Sequence, residues 1–139
     1  MEDTISNVPQ TLGPADIIGG PMSSGLVGRT FQYAYPAGIR YRISFDQDNV
    51  YFKSLPHEKL PARSDKILTL PYRARELREN LYLAHWMVAE RKGHITLTFD
   101  LQKRIVNCAS LMPGEFELFE VAEFEEALEN GEGALYHAL

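Results

Sequence analysis

The amino-acid sequence predicts an all-β fold: an antiparallel eight-stranded barrel with one short helix at its C-terminal end. Two observations carry this. From residue 27 onward, short segments rich in apolar residues, most with period-2 alternation, recur at intervals of 8 to 15 residues, divided by Pro, Gly, Asn and Asp, the pattern of an up-and-down antiparallel sheet. After the last of them comes "EFEEALENGEG", an acidic stretch that reads as a helix closed by Gly131 at its C-cap. Eight strands can close into a barrel whose interior is either filled or holds one small ligand. Closure also removes the sheet edges that invite aggregation. An open sandwich is the alternative.

Residues 1–25, rich in Pro, Gly, Ser and Asp without a sustained period, read as an extended or partly ordered arm. Residues 26–139 read as a single barrel domain. "VGRTFQYAY" alternates Phe31, Tyr33 and Tyr35 against Thr30, Gln32 and Ala34. After Pro-Ala-Gly, "IRYRISFD" alternates Ile39, Tyr41, Ile43 and Phe45 against Arg40, Arg42 and Ser44, completing a half-buried hairpin. Asp-Gln-Asp-Asn at 46–49 is turn chemistry, and "VYFKSL" follows as a third strand. The proline-bearing segment 56–65 is a loop. "KILTL" and "YRAREL" form one strand interrupted at Pro71 or two short ones, with a helix over 72–80 as the competing reading. "LYLAHWMVAE", "HITLTFD", "RIVNCAS" and "FELFEVA" supply the remaining strands, with turns at "RKG" and "LQK".

Composition narrows the function classes. With 139 residues, 45% apolar and 24% charged, the chain matches an ordinary globular domain with one core. No apolar run approaches the roughly 20 residues that span a bilayer, so no membrane role is expected, and the absence of a basic, then apolar leader predicts a cytoplasmic protein. The single cysteine, Cys108, excludes an internal disulfide and argues against a thiolate metal site. The net charge is −5, and every Lys and Arg lies at or before Arg104. That balance argues against nucleic acid as a partner. No metal, phosphate-binding or nucleophile-elbow motif occurs, and no cofactor is expected.

The chemistry-bearing residues cluster in the first hairpin. Tyr33 and Tyr35, at i and i+2, share the face that Phe31 marks as buried, and Tyr41 follows across the turn. Buried phenols need hydrogen-bond partners, and a neighbouring pair could hold a carboxylate or carbonyl oxygen of a ligand. Trp86 and Tyr82 share one face of their strand and offer an apolar wall. Arg75 supplies charge if its segment is a strand. Proton transfer is left open among Glu76, His85 and Glu90. Both faces of the Trp86 strand are apolar, which calls for a cover from the C-terminal helix or from a second subunit in a homodimer.

"FQYAYPAGIRYRISFD" and "LRENLYLAHWMVAERKGHITLTFDLQKRIVN" resemble corresponding parts of the phenolic acid decarboxylases and of the MoaF proteins associated with molybdenum cofactor genes. The resemblance spans about half of the chain. It implies a small lipocalin-like (calycin) barrel. The decarboxylase pattern, carried over, puts the carboxylate-gripping tyrosines at Tyr33 and Tyr35. Its proton-donating glutamate falls on Val88, which transfers no proton, and Glu90 lies one step nearer the turn on the same face. The family arginine corresponds to Arg63 or Arg75. This departure favours the MoaF side of the resemblance.

The expected function is therefore a cofactor-independent lyase or isomerase, of decarboxylation or cyclisation type, acting in a biosynthetic pathway on a small molecule in the barrel. A non-catalytic binding protein for a hydrophobic small molecule is the alternative, and a solidly packed interaction module a third.

Overall fold

Alternation along the chain becomes a closed surface in the computed structural model, which describes residues 22–36, 38–56, 66–88, 92–111, 117–127 and 134–135. Nine strands form one antiparallel sheet: β1 (Thr30–Ala34), β2 (Arg40–Phe45), β3 (Asn49–Leu55), β4 (Leu68–Pro71), β5 (Arg73–Arg78), β6 (Leu81–Val88), β7 (Gly93–Asp100), β8 (Ile105–Leu111) and β9 (Glu117–Glu126). Their order is β4-β3-β2-β1-β9-β8-β7-β6-β5. The two outermost strands in this order are consecutive in the chain and only Tyr72 separates them, so the sheet curls into a nearly closed barrel.

Nine strands replace the expected eight because the Pro71 segment changes partner at its middle. Asn49 pairs with Pro71 on one side, and Arg73 pairs with His85 on the other. Proline carries no N–H to continue a ladder. Tyr72 fixes the corner: it is buried and its hydroxyl donates to the Asp46 carbonyl over 2.8 Å. The helix considered for 72–80 does not form. Alternation of buried Tyr72 and Ala74 against Arg73 and Arg75 lets the segment cover the core as a strand, and that packing outweighs helix propensity.

The C-terminal helix is also corrected over its first residues. β9 continues through Glu126, with Ala122 and Phe124 buried while Glu123 and Glu125 face solvent. Tyr33 pairs with Phe124, Gln32 with Glu125 and Phe31 with Glu126, and Ala127 N donates to the Thr30 carbonyl over 2.8 Å. These residues close the barrel against β1, a non-local pairing that local propensity does not anticipate. Residues 128–133 of the expected helix, and residues 1–21 of the expected arm, lie outside the described residues. No helix among the described residues is long and apolar enough to cross a membrane.

The turns follow their side chains. Asp46 Oδ1 accepts from the backbone N–H groups of Asp48 and Asn49 at 2.9 and 2.7 Å, and Asp100 Oδ1 accepts from Gln102 and Lys103 at 3.1 and 3.0 Å. Gly38 closes the β1–β2 turn at φ 100°, a conformation that favours glycine.

The lower half of the barrel is packed with aromatic rings. Phe31 stacks on Phe99 at 4.5 Å and meets Phe124 edge-on at 4.9 Å, while Phe45 meets Tyr72 at 5.0 Å. The incoming chain plugs this end. Leu26 is fully buried, Ser23 N donates to the Ala74 carbonyl over 2.8 Å, and Gly28 N donates to Phe45 over 2.8 Å. Gly25 lies against the Tyr82 ring so closely that a Cβ would sit 2.3 Å from it. On the outer wall, Thr30 and Ser44 share a hydroxyl hydrogen bond of 2.8 Å, and Leu135 N donates to Ser44 over 2.9 Å, which covers that patch.

Truncating Phe31 to alanine opens a cavity in this cluster and is expected to lower stability by about 3–5 kcal/mol in urea unfolding. Phe119→Ser, at a side chain 76% exposed on the outer wall, is expected to change it by no more than about 0.5 kcal/mol. Equal effects at the two sites would contradict the inside–outside assignment.

Candidate functional site

The described residues do not fill the upper half of the barrel, at the end of the β1–β2 turn. On the first hairpin, the inward positions of this half are Tyr33, Tyr35 and Tyr41 where the lower half has Phe31 and Phe45. Tyr33 and Tyr35 are 6% and 4% exposed, with ring centroids 5.3 Å apart and nearly edge-to-face. Tyr41 pairs directly with Tyr33 across the hairpin, and its ring lies 6.2 Å from both. The Tyr35 backbone N–H donates to Ile39 over 2.9 Å, so the second phenol is held by the turn itself.

The three phenols wall a cavity of about 60 Å³, partly open to solvent. Phe52, Trp86 and Ile95 form the facing apolar wall, with Cys108 and Ser110 from β8 completing it. The Trp86 ring tilts against Phe52 at 5.9 Å. Trp86 is 2% exposed, and its Nε1–H finds no hydrogen-bond partner among the described residues. An unmet buried donor costs about 1–3 kcal/mol.

Polar atoms in this space are neutral. The Tyr35 hydroxyl lies within hydrogen-bond reach of both Tyr33 and Cys108. Burial pushes both phenols far above the ordinary phenol range; Cys108 adds to the rise at Tyr33, where the Tyr35 hydrogen bond works against it, and both Tyr33 and Cys108 add to the rise at Tyr35. Burial likewise pushes the Cys108 thiol up, and the charge of Glu120 adds to it. At neutral pH these groups are hydrogen-bond donors and not anions.

The expected site residues separate by position. Tyr33, Tyr35, Tyr41 and Trp86 come together at the cavity. Tyr82 shares the face of Trp86 but sits at the lower end, where its hydroxyl donates to Glu76 Oε2 over 3.3 Å. Four residues of strand carry it roughly 13 Å away, so Tyr82 is no wall of the cavity and Glu76 no proton donor in it. His85 lies between Ala84 and Trp86, both buried, and so projects from the outer wall. Arg75 projects outward for the same reason beside buried Ala74, and its Nη1 donates to the Ala74 carbonyl over 3.4 Å. Glu90 and Arg63 lie outside the described residues.

Sequence reading did not single out Cys108, Ser110, Phe52, Ile95 or Glu120. For all five the available signal is parity. Cys108 alternates with buried Val106, and Glu120 with buried Ala122 and Phe124. Glu120 pairs with Cys108 across β8–β9, faces inward, and its Oε2 is shut off from solvent. Its neighbours Glu123 and Glu125, of the opposite parity, are exposed.

On the outer wall, His85 Nδ1 and His94 Nε2 lie 3.3 Å apart. Partial burial lowers both below the ordinary histidine value of 6.5, and the positive charges of His94, Arg75 and Arg73 push His85 further down. No group of three or more potential metal-ligating side chains assembles among the described residues. Because the folded state disfavours the protonated rings, the stability they contribute is complete above pH 6.5 and is lost as pH falls below it. The urea midpoint is therefore expected to drop between pH 7.5 and pH 5, and His94→Gln to shrink that drop; an unchanged drop would count against the pair.

Comparison with known proteins follows the same lines. The solved structure titled "putative beta-lactamase from Burkholderia vietnamiensis" superposes with a TM-score of 0.64 over 74% of this chain and 96% of its own, at 10% sequence identity. At that identity the likeness concerns the fold alone. No curated protein matches the chain. The MoaF N-terminal domain model matches residues 19–113, which takes in the phenol hairpin, the bent β4–β5 strand and the Trp86 and Cys108 walls. With most of its length matched and its barrel built accordingly, this chain belongs to the MoaF family.

Proposed function

We propose that the barrel holds a small organic molecule at its upper end and that the Tyr33 and Tyr35 hydroxyls grip an oxygen of it. The carrying observation is the cavity itself: three phenols and an indole with an unmet N–H line one partly open space above a solid aromatic floor. Small-molecule sites combine apolar walls with a few convergent polar groups in this way. Tyr41 completes the phenol wall, and Phe52, Trp86 and Ile95 give the guest an apolar surface.

Holding, without turnover, is the reading best supported by the cavity wall. Tyr33, Tyr35 and Cys108 stay protonated at neutral pH, and among the described residues no carboxylic acid or histidine lines the cavity. One observation favours a second reading, cofactor-independent lyase or isomerase chemistry. Glu120 brings an inward carboxylate next to Cys108 and behind the phenols. In that reading Glu120 moves the proton. The phenols stabilise negative charge developing on the substrate oxygen, as preorganised neutral donors do.

A screen of small oxygenated aromatic compounds by protein NMR tests both. Compounds that bind are expected to lose about tenfold or more in affinity with the Tyr33→Phe, Tyr35→Phe double variant, since each hydrogen bond contributes about 0.5–1.5 kcal/mol. Unchanged binding would refute the phenol grip. If any of these compounds is turned over, Glu120→Gln is expected to abolish turnover while leaving binding intact. Full turnover in that variant would remove Glu120 from the chemistry.

A further inference from the structure

We infer that the guest is uncharged and presents a carbonyl-type oxygen that accepts a hydrogen bond from Trp86 Nε1–H. The inference rests on the reading of the cavity as a ligand site, and names the class of ligand it takes.

Buried donors in folded proteins are nearly always paired. Trp86 is 98% buried by its 2% exposure, lines the cavity, and its N–H meets no partner among the described residues. An acceptor supplied by the guest satisfies it. The remaining polar groups on the wall (two buried phenols, Tyr41, the Cys108 thiol and the Ser110 hydroxyl) also present O–H or S–H donors. A guest oxygen here meets donors from both walls.

Charge decides between a carboxylate and a neutral carbonyl. Taking a carboxylate out of water requires a cation or a full set of strong hydrogen bonds. Among the described residues, no Lys or Arg lines the cavity. Arg73 and Arg75, on the strand beside Trp86, flank buried Ala74 and project from the outer wall, where their charge acts on His85. Behind Cys108 stands the inward carboxylate of Glu120, whose charge already opposes ionisation of the thiol and opposes any second anion. A ketone, aldehyde, ester or quinone oxygen gives up far less hydration and uses every donor. The small cavity volume suits the oxygen-bearing end of such a molecule, with the rest extending to the open end.

The test uses three compounds of matched shape: acetophenone, benzoate and ethylbenzene. Each is titrated at pH 7.5 into the full-length ¹⁵N-labelled protein. Trp86 is the sole tryptophan, so the indole N–H gives one resonance. Acetophenone is expected to move it downfield and to bind at least tenfold more tightly than benzoate or ethylbenzene. Benzoate binding as tightly as acetophenone would overturn the neutral-guest inference while the cavity reading stands. Ethylbenzene binding as tightly as the ketone, or ketone binding without an indole shift, would overturn the acceptor requirement, again leaving the cavity in place. No perturbation around Trp86 by any of the three would bring down both.

Discussion

The short β1–β9 seam turns a curled sheet into an enclosed space. It consists of three paired positions, Phe31 with Glu126, Gln32 with Glu125 and Tyr33 with Phe124. Two of its interior residues, Phe31 and Phe124, belong to the aromatic floor, so the pairing and the ring packing reinforce each other. At the seam's end Arg29 Nη1 meets Glu126 at 2.6 Å, and Arg29 Nε donates to the Gly25 carbonyl over 3.0 Å. That bridge is partly solvated and adds little energy by itself. Its effect is positional, since it ties the plugging segment 22–29 to the last strand.

The seam ends at Tyr33, the point at which the interior changes character. Below it Phe31, Phe45, Phe99 and Phe124 pack in mutual contact; above it Tyr33, Tyr35 and Tyr41 face Phe52 and Trp86 across the cavity. Phenylalanines pack without leaving a polar atom to satisfy. Phenols carry a hydroxyl that needs a hydrogen-bond partner when buried. The same strands thus build both a floor that stabilises the barrel and a chamber above it. The Pro71–Tyr72 corner serves the floor, as its hydroxyl meets the Asp46 carbonyl and its ring meets Phe45. Burial pushes that hydroxyl up to about 12, which keeps it a donor.

Electrostatically the chamber is set apart from the surface. The charged residues of β5 and the His85–His94 pair occupy the outer wall, while the inner wall presents neutral donors. Behind that wall stands Glu120, an inward carboxylate paired directly across β8–β9 with the thiol that Tyr35 approaches.

Much of the architecture was legible in the residues. Period-2 alternation marks which side chains share a face, because successive Cβ atoms on a strand point to opposite sides. That alone put Tyr33, Tyr35 and Tyr41 together and implied a barrel from the run of strands. Depth along the barrel axis was not legible. Tyr82 and Trp86 have the same parity, yet one sits at the floor and the other in the chamber, and only the register with Phe99 and Ile95 decides that. Nor did parity say which face of β6 looks inward, since both are apolar; packing of Trp86 against Phe52 turned His85 outward. The strand character of residues 123–126 and the inward turn of Glu120 likewise come from pairing with strands distant in sequence. Local pattern determines faces, and contacts between distant segments determine where each face lies and what it meets.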